Sequence, residues 1–446
     1  MSSPLFSIII PTCDRPHLLR YTLQAALAVS HPSFEVVVSD NFSAPETYDL
    51  VARLKDDRVR YVRTERRLHM PDNWQFGFNH SRGDYSIILG DDDGIVPTAL
   101  NKLEQIFRAT GAELATWRNF GYYHPDWPSK MRNTVMVGHV TRNLSLIAAE
   151  YMLRQANVLE HPARFEFPHG SRFCFSRRLA QAVTRQCGRV FDIPYPDFTS
   201  ALYMLAVLKD SHYAYYDGPV TFTTYSYNSN SAVVLSRKKR NTRRAEAFYR
   251  EFDRPLYEFA PLKSHLIWNG HADCVLRMHA KFALPETLRN FDYPRYFLIC
   301  YRGIVEDDLS DITKAKPELL EEFWAVLGAQ SGEVRAAFEL LQRDYEKRGS
   351  ATLAASGGVR RLVRTLPRGV KEALKGSRLV RQASEAVLGH AIALAGDKHG
   401  FANIAELCER MEALIGGEEP FVREVAPETP RIPKRAAGGC DPLERQ

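Results

Sequence analysis

A chain of 446 residues with 45% hydrophobic and 25% charged residues has room for two domains or three and the composition of a soluble globular protein, which excludes a largely disordered one. Its net charge of +6 suits anionic small molecules, phosphates or a lipid headgroup surface, and is too small to point to nucleic acid. The seven scattered cysteines include no CxxC pair, which points to a reducing compartment and against structural zinc.

The opening "MSSPLFSIIIPTCDRP" lacks a basic region before its short apolar run, so neither a signal peptide nor a membrane span is expected there. No later apolar stretch approaches the roughly 18–20 residues that cross a bilayer, and a cytoplasmic protein is expected.

"LFSIIIP" reads as a buried strand closed by Pro11, and "PHLLRYTLQAALAVS" as a helix with Leu18, Leu19, Leu23 and Leu27 at helical spacing. "FEVVVSD" is a second strand, "APETYDLVARLKDD" a second helix and "VRYVR" a third strand. "MPDNWQFGFNHSRGD" predicts a helix stopped by Gly83, and "DYSIILG" a fourth strand. Strands alternating with helices imply right-handed βαβ units and a mainly parallel sheet. "TALNKLEQIFRATG" then reads as helix and "AELATW" as strand. Residues 119–142 read as an aromatic loop and about 143–156 as a helix. "PHGSRFCFSRRLAQAV" runs from strand into helix, "DIPYPDFTSALYMLAVLKDS" leads into another helix, and "HYAYYDGPVTFTTYSYNSNS" reads as two strands around a Gly-Pro turn.

Ligands of such sheets bind beyond the carboxyl ends of the strands. The residues there are "TCDR" (12–15), "DNFS" (40–43) and "GDDD" (90–93), so three polar clusters are expected on one rim. The adjacent carboxylates Asp91, Asp92 and Asp93 repel one another at a strand end and need a cation, hydrogen-bond donors or open water.

The order "SIIIPTCDR", "VVVSDN", "SRGDYSIILGDDDGIVP", with a further Asp about a hundred residues on, resembles glycosyltransferase family 2. The resemblance implies an inverting transferase of the GT-A fold, an α/β architecture with a mostly parallel sheet flanked by helices, and a nucleotide-diphosphate sugar as donor. It covers residues 5–110 well, 165–230 more loosely, and none of the last 200. It implies Asp92 as metal ligand, Asp91 towards the ribose, and Asp93 assisting the metal or ordering the loop, with Mn²⁺ or Mg²⁺ as cofactor. Hard divalent cations suit such carboxylates completed by substrate phosphates. Gly90 stands where many members have another Asp.

The same resemblance implies that Asp40 accepts the N3–H of a uracil or thymine, favouring a UDP- or dTDP-sugar; an Asx-turn or helix cap is the alternative role. Thr12, Asp14 and Arg15 match its "PTYNR" stretch, with Cys13 where a stacking aromatic often stands. Arg15 is expected on a phosphate or in a salt bridge to Asp14 or Asp40. Asn73 matches a polar position near the nucleotide, and Trp74 reads as core. Inversion needs a base, and "DIPYPDFTSALYML" offers Asp197, which fits the late catalytic Asp better, and Asp192; capping of the following helix is the alternative for Asp197. His169 and Arg172 are candidates on the acceptor side.

The chain divides on this reading into a catalytic domain (1–235), a helical region (236–350), a basic helical extension (351–425) and a disordered tail (426–446). "YSYNSNS" (225–231) is a candidate loop closing over the donor. The basic amphipathic stretch after 357 is a candidate for peripheral contact with an anionic membrane, which would serve a lipid-linked or glycan acceptor. A nucleotidyltransferase-like enzyme and a non-catalytic sugar-nucleotide or glycan-binding scaffold are the rival readings. The first lacks its expected Gly-rich loop in "PTCDRPH".

Overall fold

The computed structural model describes residues 3–226 apart from 128, 139, 161–165 and 171, together with 255–306, 314–347, 392–415 and 426–427. Strand β1 (Phe6–Thr12) is buried along its whole length because β2 (Phe34–Asp40) and β4 (Tyr85–Ile88) pair with its two edges, both parallel. β3 (Val59–Arg63) continues the sheet beside β2. The register sets Thr12 opposite Asp40, and Leu89 still donates to the Ile9 carbonyl, so Asp91 arrives level with Thr12. The three polar clusters therefore share one rim.

Beyond β4 the sheet continues through β10 (Phe173–Ser176), antiparallel to its neighbours β4 and β6 (Leu114–Trp117). β11 (His212–Tyr216) lies parallel to β6, and β9 (Leu144–Ala148) antiparallel to β11. Ala426–Pro427, at the head of the expected tail, pair with β9 as the edge strand β14.

Period-2 side-chain alternation divides this sheet between two cores. Ile9, Val37 and Ile88 face one core, which α3 (Met70–Asn79), α5 (Ala149–Asn157), α6 (Arg177–Cys187) and α7 (Pro196–Val207) complete. The helical region joins the same core through α8 (Ile267–Lys281), α9 (Tyr293–Val305) and α10 (Lys316–Gly328). Ile8, Ile10, Val36, Val38 and Leu89 face the other core, under α1 (Pro16–Leu27), α2 (Pro45–Ala52), α4 (Ala99–Thr110) and α11 (Ile404–Leu414). The result is a helix–sheet–helix sandwich with a mainly helical C-terminal region.

A smaller sheet stands at the rim. Its order is β13-β8-β7-β12-β5, from β5 (Gly94–Ile95), β7 (Gly121–Tyr123), β8 (Thr134–Val137), β12 (Thr221–Tyr225) and β13 (Ile392–Ala395). The expected loop at 119–142 is thus a β-hairpin in part. Strands of three and four residues hold too few periods to be read against a polar background. The helix expected from 143 begins as β9: the i, i+3 spacing of Leu144 and Ile147 reads as helical, but in the strand paired with β11 they point to opposite faces, each into one of the two cores. α3 ends at Asn79, before Gly83, since His80 Nδ1 and Ser81 Oγ satisfy the carbonyls of Phe76 and Phe78. Gly83 serves close approach, as a Cβ there would lie 2.6 Å from the Ser7 nitrogen. The two strands around Gly218-Pro219 do not pair with each other; β11 belongs to the large sheet and β12 to the small one.

Within the expected extension, residues 392–414 are built onto the unit of residues 3–226 through β13 and α11. The segments 237–252 and 357–366 and residues 227–231 of the candidate loop lie outside the described residues. No helix among the described residues is long and apolar enough to cross a membrane.

Candidate functional site

The three carboxylates at the end of β4 have different surroundings. Asp91 is fully buried; Thr12 Oγ1 donates to its Oδ2 at 2.7 Å and Arg15 Nε at 3.1 Å. Burial pushes its carboxyl above the ordinary range, against the pull of Arg15. Asp93 turns back into the protein, its Oδ1 accepting the Thr224 amide at 2.8 Å. Asp92 keeps a side chain 11% exposed, with Arg15 Nη1 3.4 Å from its Oδ2. Of the three, Asp92 is therefore the carboxylate held ready at the rim.

Gly90 follows from the same packing. A Cβ there would sit 2.7 Å from Asp93 Oδ2 and 3.2 Å from Asp92 Oδ1, so a side chain would displace the carboxylates. The pairing of Arg15 corrects the expectation of a bridge to Asp14 or Asp40: its guanidinium spans Asp91 and Asp92. No three His, Cys, Asp or Glu side chains among the described residues converge as a metal cage. The donor set nevertheless fits a hard divalent cation that takes one or two carboxylates and fills its shell with water and phosphate oxygens.

At the end of β2, Asp40 is buried and both its oxygens are engaged. Oδ1 accepts the Ser43 amide at 3.0 Å, an Asx-type turn, and Oδ2 accepts the Tyr61 hydroxyl. Asp14, at φ 54°, ties two loops together by accepting the Ala44 amide at 2.9 Å and pairing with Arg67. Asn73 clamps α3 to β2, accepting from Ser39 Oγ at 2.8 Å and donating to the Ser39 carbonyl at 3.1 Å. Trp74 packs against Phe191 at the core's edge.

The two candidate bases part company. Asp192 is held by Lys281 Nζ at 2.7 Å and the Tyr203 hydroxyl at 3.1 Å. Burial works to raise its pKa, and the Lys281 contact overcomes this and leaves it below the ordinary value. It is thereby occupied in joining α7 to α8.

Asp197 lies in the first turn of α7, with Tyr195 as the N-cap, so it does not cap the helix itself. Burial raises its pKa, partly offset by the backbone amides of Phe198, Asp197 and Gly170 and by Arg172. A half-buried carboxylate with a raised pKa is disposed to take a proton.

Around Asp197 stand the other acceptor-side candidates. His169 packs on the Phe198 ring with centroids 4.7 Å apart, and burial and Arg172 hold its pKa well below the ordinary value. Arg172 is buried, its pKa pushed down to about 10 by burial against the opposing influence of Tyr215, Tyr225 and Asp197. Tyr225 in turn interacts electrostatically with Asp93. Arg172 and Tyr225 thus link the surroundings of Asp197 electrostatically to those of Asp93.

Several residues that hold the site carry no local signal. Thr22 Oγ1 donates to the Asp93 carbonyl at 2.8 Å and Thr224 Oγ1 to the Asp92 carbonyl at 2.6 Å. His124 Nε2 lies 2.8 Å from the Asp92 carbonyl, which only accepts, so that nitrogen carries the proton. α8 adds His271, whose ring lies 4.2 Å from that of Phe198. A threonine or histidine in isolation is unremarkable; only the sheet brings these to the triplet.

Residues 7–176 match the family model described as "Glycosyl transferase family 2". Over 105 residues the chain is 30% identical to a GalNAc(5)-diNAcBac-PP-undecaprenol beta-1,3-glucosyltransferase of Campylobacter jejuni, covering 23% of this chain and 34% of that protein. It is 33% identical over 112 residues to the succinoglycan biosynthesis protein ExoO of Rhizobium meliloti, covering 25% of this chain and 32% of that one. The matched stretches thus span about a third of these relatives' length. Among solved structures, S. aureus TarS 1-349 in complex with UDP aligns with 77% of this chain and 91% of its own, at a TM-score of 0.46 and 11% identity.

Proposed function

From the premise that residues 7–176 belong to glycosyltransferase family 2, we propose that the protein moves a sugar from a UDP- or dTDP-sugar to a glycan or lipid-linked hydroxyl, with inversion, in surface-polysaccharide or glycoconjugate synthesis. The observation that supports the reading lies on β12: the Thr224 amide donates to Asp93, and the next residue, Tyr225, interacts electrostatically with the same buried Arg172 as Asp197 does. This link supports a base and a donor-binding carboxylate loop serving one site. The name of the Campylobacter relative supports an acceptor on a lipid-linked diphosphate.

Asp92, assisted by Asp93, would hold a Mn²⁺ or Mg²⁺ ion, which as a Lewis acid stabilises charge on the departing diphosphate. Arg15 lies beside the same carboxylates and supplies a fixed positive charge to the phosphates. Asp197 removes the proton from the acceptor hydroxyl. That oxygen attacks the anomeric carbon from the face opposite the diphosphate, the bond to the phosphate oxygen breaks, and its electron pair leaves with the nucleoside diphosphate. Asp40 with Tyr61, Asp14 and Asn73 shape the nucleotide side. Thr12 and Arg15 hold Asp91 towards the ribose.

The test is a thermal-shift and calorimetry panel of UDP-, dTDP-, GDP- and CMP-sugars with and without Mn²⁺, on the parent and on Asp92→Ala. A rim carboxylate contributes little to the core, so the variant should fold normally. Mn²⁺-dependent nucleotide binding should disappear in it. Unchanged metal dependence in Asp92→Ala would overturn the assignment.

A further inference from the structure

We propose that the C-terminal segment 392–414 is a working part of the donor site, a clasp whose helix α11 fixes the position of the Asp91–Asp93 loop. The inference rests on the reading of that loop as the nucleotide and metal side.

Two contact routes join the clasp to the loop. The first runs underneath. α11, capped by Asn403, buries Ile404, Leu407, Cys408 and Met411 in the core that it shares with α1 and α4. Gly94, the residue after the triplet, lies directly on it: a Cβ there would come within 2.6 Å of both Cys408 Sγ and Ile404 Cγ1. No side chain separates the loop's backbone from the helix, so a shift of α11 is felt at once by Asp93. Glu412 pins the far end of α11, accepting from Thr98 at 3.1 Å and pairing with Lys102.

The second route runs along the small sheet. β13 pairs with β8 over four residues, and Asn133 accepts the Gly396 amide at 2.7 Å while donating to the Phe401 carbonyl at 3.0 Å. The Tyr122 hydroxyl donates to the Asn133 side chain at 2.7 Å. The Tyr122 ring meets the edge of His124, which holds the Asp92 carbonyl. The carbonyls of Asp92 and the backbone of Gly94 are thus both referred to a segment some three hundred residues away.

Coupling of this kind is reciprocal: what binds and orders the loop must also steady α11. Hydrogen exchange on the full chain, with UDP or dTDP plus Mn²⁺ as the probe, reads it without reference to activity. Amides of 91–96 and of 404–414 should both slow on ligand addition. Glu412→Ala, a change at a partly exposed position outside the donor-binding residues, should weaken the same nucleotide about three- to tenfold. Slowing at 91–96 with none at 404–414, or an unchanged dissociation constant in Glu412→Ala, would overturn the clasp and leave the donor site standing. Absence of any nucleotide binding by the parent in calorimetry would remove the donor-site reading and the clasp with it.

Discussion

Arg15 lays its guanidinium across two successive carboxylates, Nη2 at 2.5 Å from Asp91 and Nη1 at 3.4 Å from Asp92. Asp91 has no access to water, so Arg15 and Thr12 stand in for solvent. Arg15→Gln leaves a buried carboxylate without its cation, at a cost of about 3–5 kcal/mol. The loss should carry a pH sign. With Asp91 already raised by burial, and raised further without Arg15, its protonated form favours the fold. The variant's stability is then greatest below the unfolded value and is lost as pH rises through the folded one. Melting temperature measured between about pH 5 and 8 should show the deficit against the parent steady below about pH 6, the Asp91 value with Arg15 in place, and widening above it. A constant deficit would count against the charge pairing.

Asp40 is engaged by Ser43, Tyr61 and, at 3.6 Å, Arg63, and substitutions here separate its roles. If it reads the base, Asp40→Ala weakens uridine or thymidine nucleotides by about 1–3 kcal/mol and other bases little. Tyr61→Phe leaves Oδ2 with only the Arg63 guanidinium, 3.6 Å away, so that it can accept a ring N–H, and should not lower uridine affinity. Calorimetry with UDP and CDP decides; equal losses for both nucleotides would reduce Asp40 to a turn-former.

Asp197→Asn keeps the size of the side chain and removes its proton affinity. The chemical step should fall by roughly 10²–10⁴-fold, with donor affinity and melting temperature near the parent. Because burial raises the Asp197 pKa, the base is lost to protonation at a higher pH than an exposed carboxylate would be. The acid limb of kcat should therefore lie above the ordinary Asp value. His169 and His271 are both held below the ordinary histidine value, His271 at about 3, so neither should add an inflection near neutrality.

Asp192→Asn is the structural counterpart. Its hydrogen-bonded contact with Lys281 contributes about 1.5–3 kcal/mol, a normal amount for a charged hydrogen bond. The folded pKa lies below the unfolded one, so this stability is present above the unfolded value and is lost as pH falls through the folded value. The variant should melt earlier at neutral pH, with the gap closing in acid, and turn over at a rate near the parent's. A large fall in kcat here, with none in Asp197→Asn, would move the base to Asp192.

Local patterns in the chain were enough to determine β1 to β4, the helices between them and the shared rim. Runs such as "FSIII" and "EVVV" can be buried only as central strands, and parallel pairing then puts every carboxyl end on one side. The triplet and Asp40 were legible because acidic residues at such ends are costly without a purpose, and Asp197 only through the family resemblance. What each carboxylate does was decided by partners far along the chain: Arg15 for Asp91, Thr224 for Asp93, Lys281 for Asp192. Nothing in the residues around Lys281 or Thr224 marks them, since a side chain's ionic partner depends on sheet order and helix packing. The same holds for β7, β8, β9 and the return of residues 392–414. Strands this short take their identity from the strand beside them, and β13 has none until the fold carries it to β8. Periodicity reports which face of an element is apolar; only tertiary packing determines what that face, and the polar rim above it, will meet.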